Sequence, residues 1–395
     1  MRTPQLNWTT LLAPLLGLSG CLQVEAVPVV DAGVDGVDHG GVGQDMGAVD
    51  HSASWPQVVY DGQREISQVY ACESALLWSF FATDDALGNR RNDEEVWAWE
   101  VGSSPQILAA NLRPRTRLAG CHDGMAYWTQ TDGSALSLHR REMSGTSPAE
   151  FVRPGGPWAM GDDGLVTRWL DGDAGVEVFD VESSSMTVFS FDGLGGSPNL
   201  FGRATRAYRD HVYVTGDPGG RIALTPVAEW EPLALEYFVN FEAVPGHLVV
   251  SDSQFESRVE EIRENGDALT LGVSCEVGGS VLPVASGRGA WVLWHFATRA
   301  SPCSEVGRSA VDANGNVRVQ TLPDIARLAQ EMSQDGGSST VSIRVLQFGE
   351  QIAFVDVRRG TIRLVGEPAF PCVDPVVPCP VGAECVTTLC TDLPN

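Results

Sequence analysis

Apolar residues in this chain come in short bursts. A turn of polar or glycine residues gives way to three or four apolar or aromatic residues, and a polar residue ends the run. The pattern reads "CESALLW" ending at Trp78, "HDGMAYW" ending at Trp128 and "DDGLVTRW" ending at Trp169. It returns as "RDHVYVTGD" from Arg209, "PGHLVVSDS" from Pro245, "GRGAWVLW" from Gly287 and "GEQIAFVDV" from Gly349. The first apolar residues of these units are Ala75, Met125, Leu165, Val212, Leu248, Ala290 and Ile352, spaced by 50, 40, 47, 36, 42 and 62 residues. Short apolar runs bounded by turn formers read as strands. Another short strand precedes each unit, as in "QVYAC" before Ala75, and one or two follow, as in "EVWAWEV" and "VEVFDV".

The chain is therefore expected to be all-β, with seven units of three or four strands. A small sheet cannot bury both faces alone, and stacking neighbours radially covers them. The repeat resembles a β-propeller, and that resemblance implies a single domain of seven blades. Six or eight blades, or another multi-sheet β architecture, are the alternatives. The last strands, "IAFVDV" and "TIRLVG", end near Gly366 and leave the final sheet one strand short. The segment "PQVVYD", residues 56–61, is predicted to pair beside "TIRLVG", close the ring and remove an exposed edge. Helical periodicity is scarce. Within the longest spacing, Ile325, Leu328, Ala329 and Met332 recur at helical intervals before Gly336 and Gly337, which predicts a short surface helix packed on a loop.

The chain begins differently. Arg2 precedes an apolar run, "WTTLLAPLLGL", too short for a helix spanning a bilayer, which needs about 20 residues. Leu18-Ser19-Gly20-Cys21 follows and resembles a bacterial lipobox. That resemblance implies cleavage before Cys21, a diacylglycerol on its thiol, and an outer-membrane destination because Leu22 rather than Asp comes next. Residues 1–20 are thus expected to be a lipoprotein signal peptide. Residues 21–54 then form the lipidated Cys21 and a Gly- and Asp-rich tether without Lys or Arg. Such a composition buries too little apolar area to offset ordering entropy, and its r.m.s. span is on the order of 30 Å. The propeller-like domain covers 55–368, and a Cys-rich tail covers 369–395.

Charge narrows the partners. With 51 acidic against 26 basic residues the net charge is −25. This excludes nucleic acid, whose phosphates require Lys and Arg. Beyond the lipid anchor in the membrane, the expected partner is a protein or glycan of the envelope, and the expected state is a monomer.

Setting Cys21 aside leaves eight cysteines in an oxidising compartment, where disulfides are the expected use. Cys72 and Cys121 hold equivalent places in the first two units and are expected to pair across them. Cys275 and Cys303 are then left to each other. Cys372, Cys379, Cys385 and Cys390 are expected to staple the proline-rich tail with two disulfides, and all three connectivities stay open. A Cys₄ zinc site is disfavoured by the spacing.

Catalytic signatures are missing. No H-E-x-x-H pair, G-x-S-x-G elbow or phosphate-binding loop occurs. His122-Asp123 reads as a solvated turn before an acid–base pair. "DGDAGVEV" from Asp171 and "DANGNVRV" from Asp312 resemble fragments of calcium loops, but Gly315 falls in the fourth place rather than the sixth, and hairpin turns explain both. No cofactor is expected. "DDALGNRRNDEE", residues 84–95, reads as a charged, solvated insertion and as one of the better partner-binding candidates. The expected function is a non-catalytic binding or scaffold module of the outer membrane. The alternative is a glycan hydrolase or lyase using carboxylates in the central channel.

Overall fold

The computed structural model describes residues 57–366 apart from short connecting stretches, among them 84–90, 192–204, 234–239, 298–304 and 335–341, together with three short strands near the C-terminus. Seven four-stranded antiparallel sheets form the domain. Strand β1 is Gln57–Asp61. Blade one holds β2 (Ile66–Ala71), β3 (Ala75–Phe80), β4 (Glu94–Glu100) and β5 (Gln106–Leu112). Blade two holds β6 (Arg117–His122), β7 (Met125–Asp132), β8 (Ala135–Glu142) and β9 (Glu150–Pro154). Blade three holds β10 (Ala159–Met160), β11 (Leu165–Trp169), β12 (Gly175–Asp180) and β13 (Met186–Ser190). Blade four holds β14 (Thr205–Tyr208), β15 (His211–Val214), β16 (Gly220–Ala223) and β17 (Trp230–Pro232). Blade five holds β18 (Asn240–Val244), β19 (His247–Asp252), β20 (Glu256–Ile262) and β21 (Ala268–Val277). Blade six holds β22 (Leu282–Arg288), β23 (Trp291–Ala297), β24 (Glu305–Val311) and β25 (Val317–Thr321). Blade seven holds β26 (Ile343–Phe348), β27 (Gln351–Asp356) and β28 (Thr361–Gly366).

The first strand of each blade touches the first strand of the next, and β26 touches β2, so the ring is closed. The protein is a seven-bladed β-propeller. Blade seven is completed by β1, which pairs antiparallel with β28 from Gln57 opposite Leu364 to Asp61 opposite Thr361. This is the closure read from the missing strand. The seven repeated apolar units fall on β3, β7, β11, β15, β19, β23 and β27, the second strand of every blade. These strands are flanked by partners in their own sheet and by neighbouring blades, which is why they read as apolar on both faces. In β3 every residue is buried.

Blades one and two share a device. Trp78 on β3 lies opposite Trp97 on β4 and stacks on it, with centroids 6.0 Å apart. Trp128 on β7 lies opposite His139 on β8 in the same way, at 6.1 Å. Tyr60 of the closing strand packs against Trp78, Phe80 and Trp97, so an aromatic cluster seals the seam between the two ends of the ring.

One helix, α1 (Pro323–Gln334), connects blade six to blade seven. It differs from expectation in what it covers. Ile325, Ala329 and Met332 are buried with Leu293, Val306, Val345 and Phe354, so the helix lies across the seam of two blades rather than on a loop. The stripe is apolar because it replaces solvent for both sheets at once.

Candidate functional site

Antiparallel order fixes two faces. In each blade the connections between first and second strands and between third and fourth lie at one end, here termed the hairpin face. Connections between second and third strands, and the crossings from blade to blade, lie at the other, the crossover face. Because β1 runs antiparallel to β28, the chain enters β1 and leaves β28 on the hairpin face. The Cys72–Cys121 disulfide is also on that face. It joins the ends of β2 and β6, with Cα atoms 6.0 Å apart, as the sequence repeat anticipated.

The other predicted site residues divide as follows. Cys275 lies on β21. Cys385 on β30 (Ala383–Val386) and Cys390 on β31 (Leu389–Asp392) are direct cross-strand partners in a small sheet that β29 (Phe370–Pro371) completes. Cys21, Cys303, Cys372 and Cys379 lie outside the described residues.

The His122-Asp123 turn is a tight hairpin. Asp123 has φ 46° and Gly124 φ 70°, the pair of positive values that a two-residue turn of primed type requires. His122 Nε2 faces Glu182 Oε1 of blade three at 2.9 Å. Glu182 is the twelfth residue from Asp171, the closing place of a calcium loop, but it follows β12 on the hairpin face and is engaged by His122; residues 171–174 lie outside the described residues. Trp169 pairs with Val176, and Val311 pairs with Val317, so both calcium-like segments connect paired antiparallel strands. Among the described residues no group of three His, Cys, Asp or Glu is placed to hold a metal.

One Ser–His–Asp cluster exists that the sequence did not suggest. Ser137 and His139 on β8 meet Asp132 at the end of β7. His139 Nε2 lies 3.0 Å from Ser137 Oγ and 2.8 Å from Asp132 Oδ2, so a single ring nitrogen serves both. A proton relay needs the acid on the opposite nitrogen from the hydroxyl. Burial acts to raise the Asp132 pKa, but hydrogen bonds from Ser137, Gln130 and His139 outweigh it and hold the carboxyl below its usual range. Trp128 Nε1 donates to Gln130 at 2.8 Å, and Gln130 donates to Asp132 at 3.0 Å. These residues alternate on facing strands, which makes the cluster a polar ladder that pins a hairpin.

Two inner strands reach across the central channel. Arg206 of β14 points Nη2 at the Tyr70 hydroxyl of β2, 3.5 Å away, joining blades on opposite sides of the ring. Further round, Arg344 on β26 is largely buried, and burial lowers its pKa; a guanidinium remains charged at neutral pH regardless. His295 on β23 is fully buried, and neither ring nitrogen has a hydrogen-bond partner. Burial first, and the nearby Arg344 second, push its pKa down to about 3.

The charged insertion is shorter than its sequence suggests. Glu94 belongs to β4 and is buried. Its carboxylate accepts the backbone N–H groups of Arg115 at 3.1 Å and Thr116 at 2.6 Å. A residue that reads as loop charge therefore ties blade one to the crossing into blade two. Next to it, Glu95 pairs with Arg64 at 2.9 Å and accepts from Trp97 Nε1 at 2.8 Å. At the following seam Glu177 is buried between two arginines, 2.9 Å from Arg153 Nε and 2.7 Å from Arg168 Nε.

No family model matches the chain, and no curated protein does. Among solved structures it is similar to TolB from Acinetobacter baumannii, at 11% identity over 62% of this chain and 65% of that one, TM-score 0.40. It is also similar to YCF48 from Cyanidioschyzon merolae, at 8% identity over 80% and 99%, TM-score 0.45. An acylaminoacyl peptidase aligns at 9% identity over 77% and 49%, TM-score 0.47. The chain spans less than two thirds of the length of TolB and of the peptidase.

Proposed function

We propose that the protein is a lipid-anchored binding or scaffold module of the bacterial outer membrane, without catalytic activity. The observation that carries this reading is the polarity of the propeller. The chain enters at Gln57 and leaves at Gly366 on the hairpin face. A tether anchored at Cys21 would therefore leave the crossover face free for a partner. Acyl chains contribute about 0.8 kcal/mol for each buried CH₂, so a multiply acylated Cys21 needs no spanning helix. In this reading residues 21–54 supply slack and eight cysteines form structural disulfides. Cys275 pairs with Cys303, and Cys385 pairs with Cys390, whose strands are already in register, leaving Cys372 for Cys379.

The non-catalytic part of the proposal is supported by the wiring of Asp132, Ser137 and His139, which share one nitrogen instead of forming a relay. Membrane fractionation tests the anchor. Wild-type protein should sediment with the outer membrane, and Cys21→Ala should be released into the soluble fraction. Continued retention of Cys21→Ala in the membrane contradicts lipidation.

A further inference from the structure

We infer that the crossover face of blades seven, one and two docks an acidic polysaccharide, a linear glycan bearing carboxylate groups. This rests on the binding-module reading above and names the ligand class for the same face. All 26 basic residues of the chain are arginine. Six of them, Arg91, Arg113, Arg115, Arg117, Arg358 and Arg359, are exposed on this one surface. The loops that carry them are stitched together. Gly62 N–H donates to Gly360 at 3.3 Å, and Ile66 N–H to Val357 at 2.6 Å. Arg64 Nη2 donates to the Asp93 carbonyl at 2.7 Å, and Arg113 Nη1 to the carbonyl of Gly133. Among the described residues no carboxylate forms an ion pair with Arg113, Arg115, Arg117 or Arg358. Asp61, Glu65 and Asp132 are exposed on the same surface, Asp132 held by Ser137 and His139, and the Asp93 carboxylate is held by the Thr83 N–H and hydroxyl. In a chain of charge −25 this local excess of guanidinium runs against the average.

Backbone conformation gives a second, independent observation. Arg115 has φ +91°, a region that side chains other than glycine occupy only at a cost. The buried Glu94 carboxylate imposes it by binding two successive N–H groups of that turn. Glycine would satisfy this turn without strain, so the turn carries its exposed arginine at a backbone cost.

The surface also lacks what a folded protein partner needs. Protein interfaces have an apolar, aromatic-rich centre, and the exposed large apolar residue at this place is Phe81 alone among the described residues. Phe81 offers a flat ring to the apolar side of a sugar, and the guanidinium forks match carboxylates in geometry.

Titration calorimetry of the mature full chain with polygalacturonate, at low and high salt, tests the inference. Polyglutamate and single-stranded DNA serve as comparators. Polygalacturonate should bind best and should weaken as salt screens the charges. Combining Arg113→Ala, Arg115→Ala and Arg358→Ala should lower affinity about tenfold, the sum of three modest surface pairs. Arg209→Ala on the hairpin face should change nothing. Arg115→Gly should weaken binding while leaving the melting temperature equal or higher, a combination that a purely structural arginine would not give. No binding, equal or tighter binding of polyglutamate or DNA, or loss of binding in Arg209→Ala overturns the inference. Those outcomes leave the lipid anchor untouched, since Cys21→Ala fractionation reports on it separately.

Discussion

The seam between blades one and two and the seam between blades six and seven do the same job with different chemistry. The first adds covalent and polar joints to an apolar packing of Leu77, Val96 and Leu108 against Leu118, Ala126 and Trp128. It carries the Cys72–Cys121 bond, the Glu94 carboxylate on two N–H groups, and Gln68 Oε1 accepting the Leu118 N–H at 2.8 Å. The Arg141 guanidinium adds a bond to the Leu108 carbonyl at 2.6 Å. The second seam is apolar, with α1 laid over Val306, Ile343 and Phe354, and it holds the unpaired ring of His295. A repeat thus fixes the sheet but not the means of joining sheets. Polar joints are specific in direction and respond to reductant and charge. The apolar joint responds to volume.

Four changes probe this contrast, in falling order of effect. Cys72→Ser with Cys121→Ser should cost about 4 kcal/mol by the chain-entropy account of a loop this long, read as the loss in denaturation midpoint; reductant should reproduce it in the wild type. At the next polar joint, between blades two and three, Glu177→Ala should cost roughly 3 kcal/mol, because it leaves Arg153 and Arg168 without their buried partner. Met332→Ala at the apolar seam should cost about 2 kcal/mol by cavity formation and should be indifferent to reductant and salt. A salt-sensitive Met332→Ala would break the distinction between the seams.

The fourth change should stabilise. His295→Leu removes two unsatisfied buried nitrogens and should gain about 1 kcal/mol at neutral pH. It should also flatten the acid limb. The folded-state pKa near 3 lies below the ordinary histidine value, so the unfolded chain takes up a proton first as pH falls. His295 therefore contributes stability that is intact above pH ~6.5 and is lost between there and pH ~3, at up to roughly 1.4 kcal/mol per unit. Thermal melts of wild type and His295→Leu from pH 7 to pH 4 should diverge as acid is added. Parallel curves would show that His295 is not kept neutral by burial.

How far the sequence reaches follows from the same contrast. The second strands were legible because they are covered on both sides and so appear as unbroken apolar runs, as in Leu76, Leu77 and Trp78. Ring closure was legible because a sheet one strand short demands a strand elsewhere. The Cys72–Cys121 bond followed from equivalent places in two repeats. Glu94 was not legible, since a carboxylate after "RRND" reads as loop until its two N–H donors, some 20 residues on, fold beside it. The helix was visible as a helix, but not its seat, because its stripe fits any apolar surface. The arginine face was hidden for a similar reason. Its residues lie between Arg91 and Arg359 in the chain and converge only because all belong to connections at one end of their blades. "RPRTR" at 113–117, in a chain whose basic residues are all arginine, was the one local signal.

The central claim is that the face opposite the chain ends binds. Site-specific photo-crosslinking in intact cells tests it most directly, with the crosslinking residue placed at Arg358 on the crossover face or at Asp123 on the hairpin face. The account predicts adducts with envelope material from position 358 and none from position 123. Adducts from position 123 alone would contradict it.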